Sequence, residues 1–250
     1  MKTLDLVFLW HMHQPDYRDH GATGKLGVGD TAAEFVLPWV YLHAMKDYND
    51  MAAHLERHPH VRCVVNFVPV LLEQIEDYAQ QFASGEFRDP LLRILATPDF
   101  EHIDQADRRL LLDTCFRSNH VTMLAPFPQY KRLHDIYQLL VHENEIACGY
   151  LSDAYFSDLV TWYHLAWTGE TERRRNPLLA TLMSQGEGYD AEDRSRLLAS
   201  IGELIAGLIP RWRALAARGQ VELSSTPQTH PLSPLLLDFG RAVPPALIPS

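Results

Sequence analysis

The chain contains few cysteines, no long hydrophobic run and no excess of positive charge. Its three cysteines, Cys63, Cys115 and Cys148, are widely separated. That spacing argues against a disulfide framework or a zinc knuckle and predicts buried free thiols. A net charge of -10 argues against a nucleic acid or an anionic membrane as a partner, because both would repel the chain. No apolar segment approaches the length of a transmembrane helix, so we expect neither a nucleic-acid partner nor a membrane partner.

The N-terminus carries a short apolar segment, residues 4–10. Asp5 interrupts it, and His11 follows it without a small-residue cleavage site. We therefore expect no signal peptide and a cytoplasmic location. The composition, 46% hydrophobic and 22% charged over 250 residues, predicts a globular protein with a substantial core.

Three short apolar segments predict strands: residues 4–10, 61–68 and 220–224. The first two are rich enough in apolar side chains to predict buried strands. Residues 34–58 and 70–82 have the periodicity of helices, the former as one kinked helix or two. The order strand, helix, strand, helix is typical of an α/β fold with a parallel sheet and crossover helices.

A long helical segment separates the second predicted strand from the third. Residues 85–217 predict mostly helix and no strand. Within them, Ser152 is expected to cap one helix, residues 190–217 to form another that ends by Gly219, and residues 168–176 to form an exposed turn. A crossover does not need so much chain, so we expect a helical insertion above the sheet, where barrel loops build active sites.

A first polar cluster follows the first predicted strand. Strand alternation places His11 and His13 on one face, and Gln14 and Asp16 follow beside Pro15, which ends the strand. Two imidazoles, an amide and a carboxylate at the mouth of a sheet can bind sugar hydroxyls.

A second polar cluster lies on and after the third predicted strand. Glu222 stands within this strand, where a carboxylate is favourable only beside a polar cavity or an ion-pair partner. His230 follows on the exit loop, and Asn66 at the end of the second strand is either a site residue or a turn amide. Trp162, Trp167 and the other helical aromatics have core spacing, with sugar stacking as the alternative.

The two clusters carry a resemblance to a known family. His13-Gln14-Pro15 after an apolar strand resembles the first signature of glycoside hydrolase family 57. Gly219-Gln220-Val221-Glu222, leading to His230 and the run of residues 231–236, resembles the second. The motifs occur in the family's order, each on its predicted strand.

The resemblance implies an incomplete (β/α)7 barrel, of which this chain holds the first strands with the helical insertion at residues 85–217. It also implies retaining cleavage or transfer of α-glucosidic bonds in an α-glucan or maltooligosaccharide, without a metal or organic cofactor. His11 and His13 resemble residues of the subsite for the reacting sugar, and Gln14 belongs to the same signature. Glu222 resembles the acid that supports that subsite, and His230 matches a further contact.

The resemblance does not assign the bond-breaking pair. The family's nucleophilic Glu and its acid/base Asp belong to later signatures, so we expect them beyond Ser250 and expect the chain to be a truncated part of one catalytic domain. Retaining chemistry needs two carboxyl groups about 5 Å apart. Asp16 and Glu222 are candidates only if the chain is complete.

Two alternative functions stay open at the sequence level. His11 and His13 have the spacing of a metal-binding pair, as in metal-dependent barrel hydrolases of the α-mannosidase or deacetylase type. A catalytically incomplete fragment that only binds carbohydrate is the other alternative.

Overall fold

The computed structural model of the protein describes residues 6–19, 33–140, 145–228 and 230. Within these ranges it contains one three-stranded sheet, made of β1 (Leu9–Met12), β2 (Cys63–Phe67) and β3 (Val221–Ser225). The strands lie in the order β1-β2-β3, and both pairings are parallel. The predicted α/β class with a parallel sheet is confirmed, while the closure of this sheet into a barrel stays a prediction.

Helices make up most of the described chain. They are α1 (Trp39–His43), α2 (Asn49–Arg57), α3 (Pro69–Ser84), α4 (Pro90–Ala96), α5 (Gln105–Thr114), α6 (Pro128–Leu140), α7 (Asp153–Trp167), α8 (Glu170–Arg175), α9 (Pro177–Gln185) and α10 (Ala191–Ala217). A π-helical turn, Ala44–Tyr48, joins α1 to α2. The prediction of one kinked helix or two in residues 34–58 is confirmed, and this helical stretch begins after Pro38.

The sheet has one helix-covered face and one open face. On β2, Val65 and Phe67 are buried, and the Phe67 ring contacts that of Trp212 on α10 with centroids 5.4 Å apart. Alternation turns His11 and Glu222 to the opposite face, where both are exposed. The helices therefore stabilise one side of the sheet and leave the polar side accessible.

The prediction of a buried strand over residues 4–10 is wrong for the described part of that segment. β1 begins only at Leu9, which is 63% exposed, and residues 6–8 are exposed as well. β1 pairs with β2 alone among the described residues, so it is an edge strand. An apolar run indicates a strand, but it does not reveal whether a second neighbour covers it.

The helical segment is well ordered by local caps and dense packing. The hydroxyl of Ser152 accepts a hydrogen bond from the Tyr155 N–H at the start of α7, and Asp190 caps α10 in a capping box with Asp193. Between residues 85 and 217, the described residues contain no strand. The predictions of core tryptophans and of buried free thiols are confirmed. The side chains concerned are Trp162, Trp167, Trp212, Cys63, Cys115 and Cys148.

The prediction of an exposed turn at residues 168–176 is wrong. This segment contains the helix α8, whose Glu172 is buried. The carboxylate of Asp50 accepts hydrogen bonds from the N–H groups of Glu170 and Thr171, at 2.8 and 3.1 Å. The cap comes from α2, far away in sequence, and no local pattern predicts it.

Candidate functional site at the carboxyl edge of the sheet

A row of hydrogen-bonded polar side chains crosses the open face of the sheet. His11, Asn66 and Ser224 occupy paired positions on β1, β2 and β3. His11 Nδ1 lies 2.8 Å from Asn66 Oδ1, and Asn66 Nδ2 donates to Ser224 Oγ at 2.9 Å. An amide oxygen only accepts, so His11 Nδ1 carries a proton and is the donor in this bond. The row thereby orients the ring of His11.

Three histidines meet where the strands end, which we call the carboxyl edge. His11 lies on β1 and His13 directly follows that strand, and their ring centroids lie 5.7 Å apart. His230 comes from the segment after β3, and its ring lies 4.9 Å from that of His11 and 4.8 Å from that of His13. This histidine cluster joins both predicted motifs in one place.

Burial and the neighbouring imidazoles favour the neutral form of His13. Desolvation lowers the pKa of His13, and the nearby His230 and His11 lower it further. His13 is consequently neutral at pH 7, with one nitrogen that donates and one that accepts. Such rings suit an uncharged ligand that carries hydroxyl groups.

Gln14, which follows His13 in the sequence, is held by two tyrosines. Its Oε1 accepts from the Tyr17 hydroxyl at 2.8 Å, and its Nε2 donates to the Tyr48 hydroxyl at 3.4 Å. Both polar ends of the amide are therefore engaged, in a half-buried position. The structure brings Gln14 against these tyrosines, adjacent in sequence to His13.

Asp16 has a structural partner that the sequence did not reveal. Its carboxylate accepts two hydrogen bonds from Arg18, at 2.8 and 2.7 Å. Gln74 on α3 then holds the same segment, because it accepts from the Tyr17 N–H and donates to the Pro15 carbonyl. Asp16 thus shapes the segment after β1 and does not belong to the histidine cluster.

Glu222 lies on the open face, two residues before Ser224. It pairs with Val64 in the sheet register, is exposed, and forms no ion pair within the part of the chain that the structure describes. The alternative role as an ion-pair partner has no support there. The carboxylate is instead available on the same face as His11.

Two further residues join the predicted site. Asn66, which the sequence left between two roles, is a member of the hydrogen-bonded row, and Ser224 was not predicted. The available signal for Ser224 was its position two residues after Glu222 in a strand, since a polar residue there shares the face of that acid.

The geometry gives no metal site or membrane span among the described residues. No group of three or more His, Cys, Asp or Glu side chains in the ranges given above is arranged to hold a metal ion. Across the same ranges, no helix combines the length and apolarity required to cross a bilayer.

A comparison with protein-family models decides the family. The model of glycosyl hydrolase family 57 matches residues 7–244. The chain belongs to this family. No curated protein and no solved structure matches it. Membership in family 57 implies a glycoside hydrolase or transglycosylase with a carbohydrate substrate, in agreement with the predicted resemblance.

Proposed function

We propose that this chain forms the sugar-binding part of a retaining glycosidase or 4-α-glucanotransferase that acts on α-glucans. The observation that carries the proposal is the meeting of His11, His13 and His230 at the carboxyl edge, with His11 oriented by Asn66. Both motifs that resemble the family signatures contribute to this cluster.

The chemistry of the cluster fits a neutral sugar. Neutral imidazoles donate and accept hydrogen bonds, and Glu222 can accept from hydroxyl groups on the same face. Because the lowered pKa of His13 keeps its ring uncharged at pH 7, binding does not require an anionic ligand. These residues would hold and polarise the sugar without attacking it.

Bond cleavage requires two more groups. In a retaining mechanism one carboxylate attacks the anomeric carbon while a carboxylic acid protonates the leaving oxygen, and water or an acceptor sugar then releases the glycosyl group. Arg18 engages Asp16, so the pair of Asp16 and Glu222 is a poor candidate. We propose that the nucleophile and the acid/base lie in sequence beyond Ser250.

The binding role is tested by calorimetry of this chain with maltoheptaose, using His13→Ala and His60→Ala. His60 is an exposed histidine in the turn before β2, so its loss controls for the removal of an imidazole. In an active polypeptide that contains this chain, His13→Ala should lower kcat/KM at least about 100-fold, or about 2.7 kcal/mol. Near-normal affinity and kinetics of His13→Ala would refute the role.

A chelator separates the proposal from a metal-dependent hydrolase. Activity on maltooligosaccharides should survive treatment with EDTA, since the proposed chemistry uses carboxyl groups alone. Loss of activity with EDTA and its return with zinc would favour the mannosidase or deacetylase alternative. Saturable binding by an active polypeptide without any product would favour a binding role.

A further inference from the structure

A polar pocket lies away from the histidine cluster, where α2, α8 and α10 meet. It has a volume of about 630 Å³ and is open to solvent. Its lining consists of Ala53, His54, Glu56, Arg57, Glu170, Thr171, Arg174, Arg175 and Arg211. We call it the arginine pocket. Its size falls within the range of small-molecule sites.

The arginine pocket lies at the end of the sheet opposite the carboxyl edge. Gln220, immediately before β3, donates hydrogen bonds to the carbonyls of Leu55 and His58 at 2.5 and 3.0 Å. These contacts fix the end of α2 beside the amino ends of the strands. A ligand in the arginine pocket would therefore not contact the histidine cluster.

The lining is positively charged in an acidic protein. Four arginines face two glutamates, although the whole chain has a net charge of -10. Glu56 already accepts hydrogen bonds from Nε and Nη2 of Arg211, at 2.6 and 2.5 Å. Glu170 is likewise bound by Arg174, at 2.7 Å. A third carboxylate, that of Glu172 outside the lining, accepts from Arg175 at 2.7 Å. Among the described residues, Arg57 is therefore the lining arginine that no carboxylate engages.

Arg57 carries a guanidinium that no carboxylate neutralises among the described residues. Its nitrogens contact the Thr171 hydroxyl at 3.3 Å and His54 Nδ1 at 3.0 Å. Because a guanidinium only donates, the histidine nitrogen is the acceptor in that contact. Neither partner is a carboxylate, so these contacts orient Arg57 without neutralising its charge.

The electrostatic effect of the arginines is visible on a neighbouring acid. The hydrogen bond from Arg211 lowers the pKa of Glu56 against the opposing effect of burial, and the charges of Arg211, Arg218 and Arg175 lower it further. The arginines from α8 and α10 therefore act together on this carboxylate.

We propose that the arginine pocket binds a phosphorylated sugar, with its phosphate on Arg57 and on the terminal nitrogens of Arg174, whose Nε is the atom that donates to Glu170. Guanidinium groups bind phosphate oxygens through paired hydrogen bonds. The other lining side chains, Thr171 and His54 among them, offer hydrogen bonds to hydroxyl groups. Among the described residues that line the pocket, the imidazole of His54 is the only aromatic ring. The described lining thus lacks the large apolar stacking surface on which nucleobases commonly bind.

The test is calorimetry at low salt with glucose 6-phosphate, glucose and AMP. Glucose 6-phosphate should bind with one saturable site and lose affinity as salt is added, while glucose should not bind at this pocket. Arg57→Gln and Arg174→Gln should each weaken binding at least about 10-fold. Arg57→Lys keeps the charge but loses the paired donors of the guanidinium. Its affinity should lie between that of Arg57→Gln and that of the parent protein.

Matched controls make the result specific. Arg196→Gln removes one exposed arginine of α10 outside the lining and should leave affinity unchanged. His13→Ala should also leave it unchanged, so the result is independent of the proposed glucan site. Absent saturation, equal losses in Arg57→Gln and Arg196→Gln, or tighter binding of AMP than of glucose 6-phosphate would overturn the proposal.

Discussion

The helical core and the open face of the sheet use polar side chains in opposite ways. In the core, Arg194 is 3% exposed and donates to the carbonyls of Thr97 and Pro98 at 3.0 and 3.1 Å. On the sheet, His13 is only half-buried and Glu222 is exposed. A buried polar group with protein partners supports the fold, whereas one with accessible hydrogen-bonding capacity can bind a ligand.

The comparison predicts that polar substitutions in the core change stability and that those on the sheet change binding. It fails if either kind of substitution produces the other effect. Three experiments examine it, in order of the expected change in free energy.

Arg194→Met should produce the largest change. Besides the two carbonyls, Arg194 donates to Ser157 Oγ at 2.6 Å, and its guanidinium lies 4.2 Å from the centre of the Phe100 ring. Replacing it leaves buried acceptors unpaired, so the free energy of unfolding should fall by about 4 kcal/mol. Urea denaturation measures the loss.

The exposed Arg196 on the same helix provides the control. Arg196→Met should change the free energy of unfolding by less than about 0.5 kcal/mol. Similar losses for the two variants would mean that burial and hydrogen bonding do not set the contribution of these arginines.

The second experiment uses two buried groups with opposite pH dependence. Burial raises the pKa of Asp89 from 3.8 to about 6, although hydrogen bonds from Tyr78 and from the N–H groups at the start of α4 oppose this. Burial also lowers the pKa of His164 from 6.5 to about 4. The Tyr41 ring contacts those of Tyr78 and His164, which links the two sites in one core.

The signs follow from proton binding. The folded state holds the Asp89 proton more tightly than the unfolded chain, so this group adds stability as the pH falls from about 6 towards 3.8. The folded state resists protonation of His164, so its contribution is full above pH 6.5 and is lost as the pH falls towards about 4. Each effect is on the order of 3 kcal/mol, and they oppose each other between about pH 4 and pH 6.

Single variants should separate the two contributions. Asp89→Asn should lose stability more steeply than the parent protein as the pH falls from 6.5 towards 4, because His164 then acts alone. His164→Gln should instead gain stability as the pH falls from about 6 towards 4, because Asp89 then acts without the opposing histidine. Chemical denaturation at several pH values measures both slopes, and unchanged slopes in both variants would refute the assignment.

The sequence predicts the sheet better than it predicts the neighbours of each strand. Alternation and β-branched residues locate β2 and β3 to within about two residues, because these signals are local. The exposure of β1 depends on a strand neighbour, and α8 depends on the Asp50 cap from α2. Such contacts between distant segments leave no periodic signal in the sequence.

The candidate site shows the same division. His11 and His13 are predictable as neighbours because His11 lies on β1 and His13 follows its last residue, two positions further along the chain. Asn66 could be named from its strand end, but its hydrogen bond to His11 depends on the parallel register of β1 and β2. The role of Asp16 is not predictable, because the sequence does not distinguish a carboxylate that Arg18 binds from one that is available to a ligand.

The smallest effect is expected for Glu222→Gln. The exposed carboxylate has no ion pair among the described residues, so its neutralisation should change the free energy of unfolding by less than about 0.5 kcal/mol. If Glu222 accepts hydrogen bonds from a sugar, the loss of its charge should weaken maltoheptaose binding about 10-fold, or about 1.4 kcal/mol. Glu203→Gln, which neutralises an exposed glutamate on α10, is the matched control.

Calorimetry and urea denaturation of the same two variants distinguish the roles of the acid. Weaker binding by Glu222→Gln alone, at unchanged stability, places the carboxylate in the sugar site. A loss of stability without a loss of affinity would instead make Glu222 a structural residue. The contrast between the open face and the helical core would then not hold for Glu222. This outcome would restrict the site to the histidine cluster, since His11 and His13 do not depend on Glu222 for any contact that positions them.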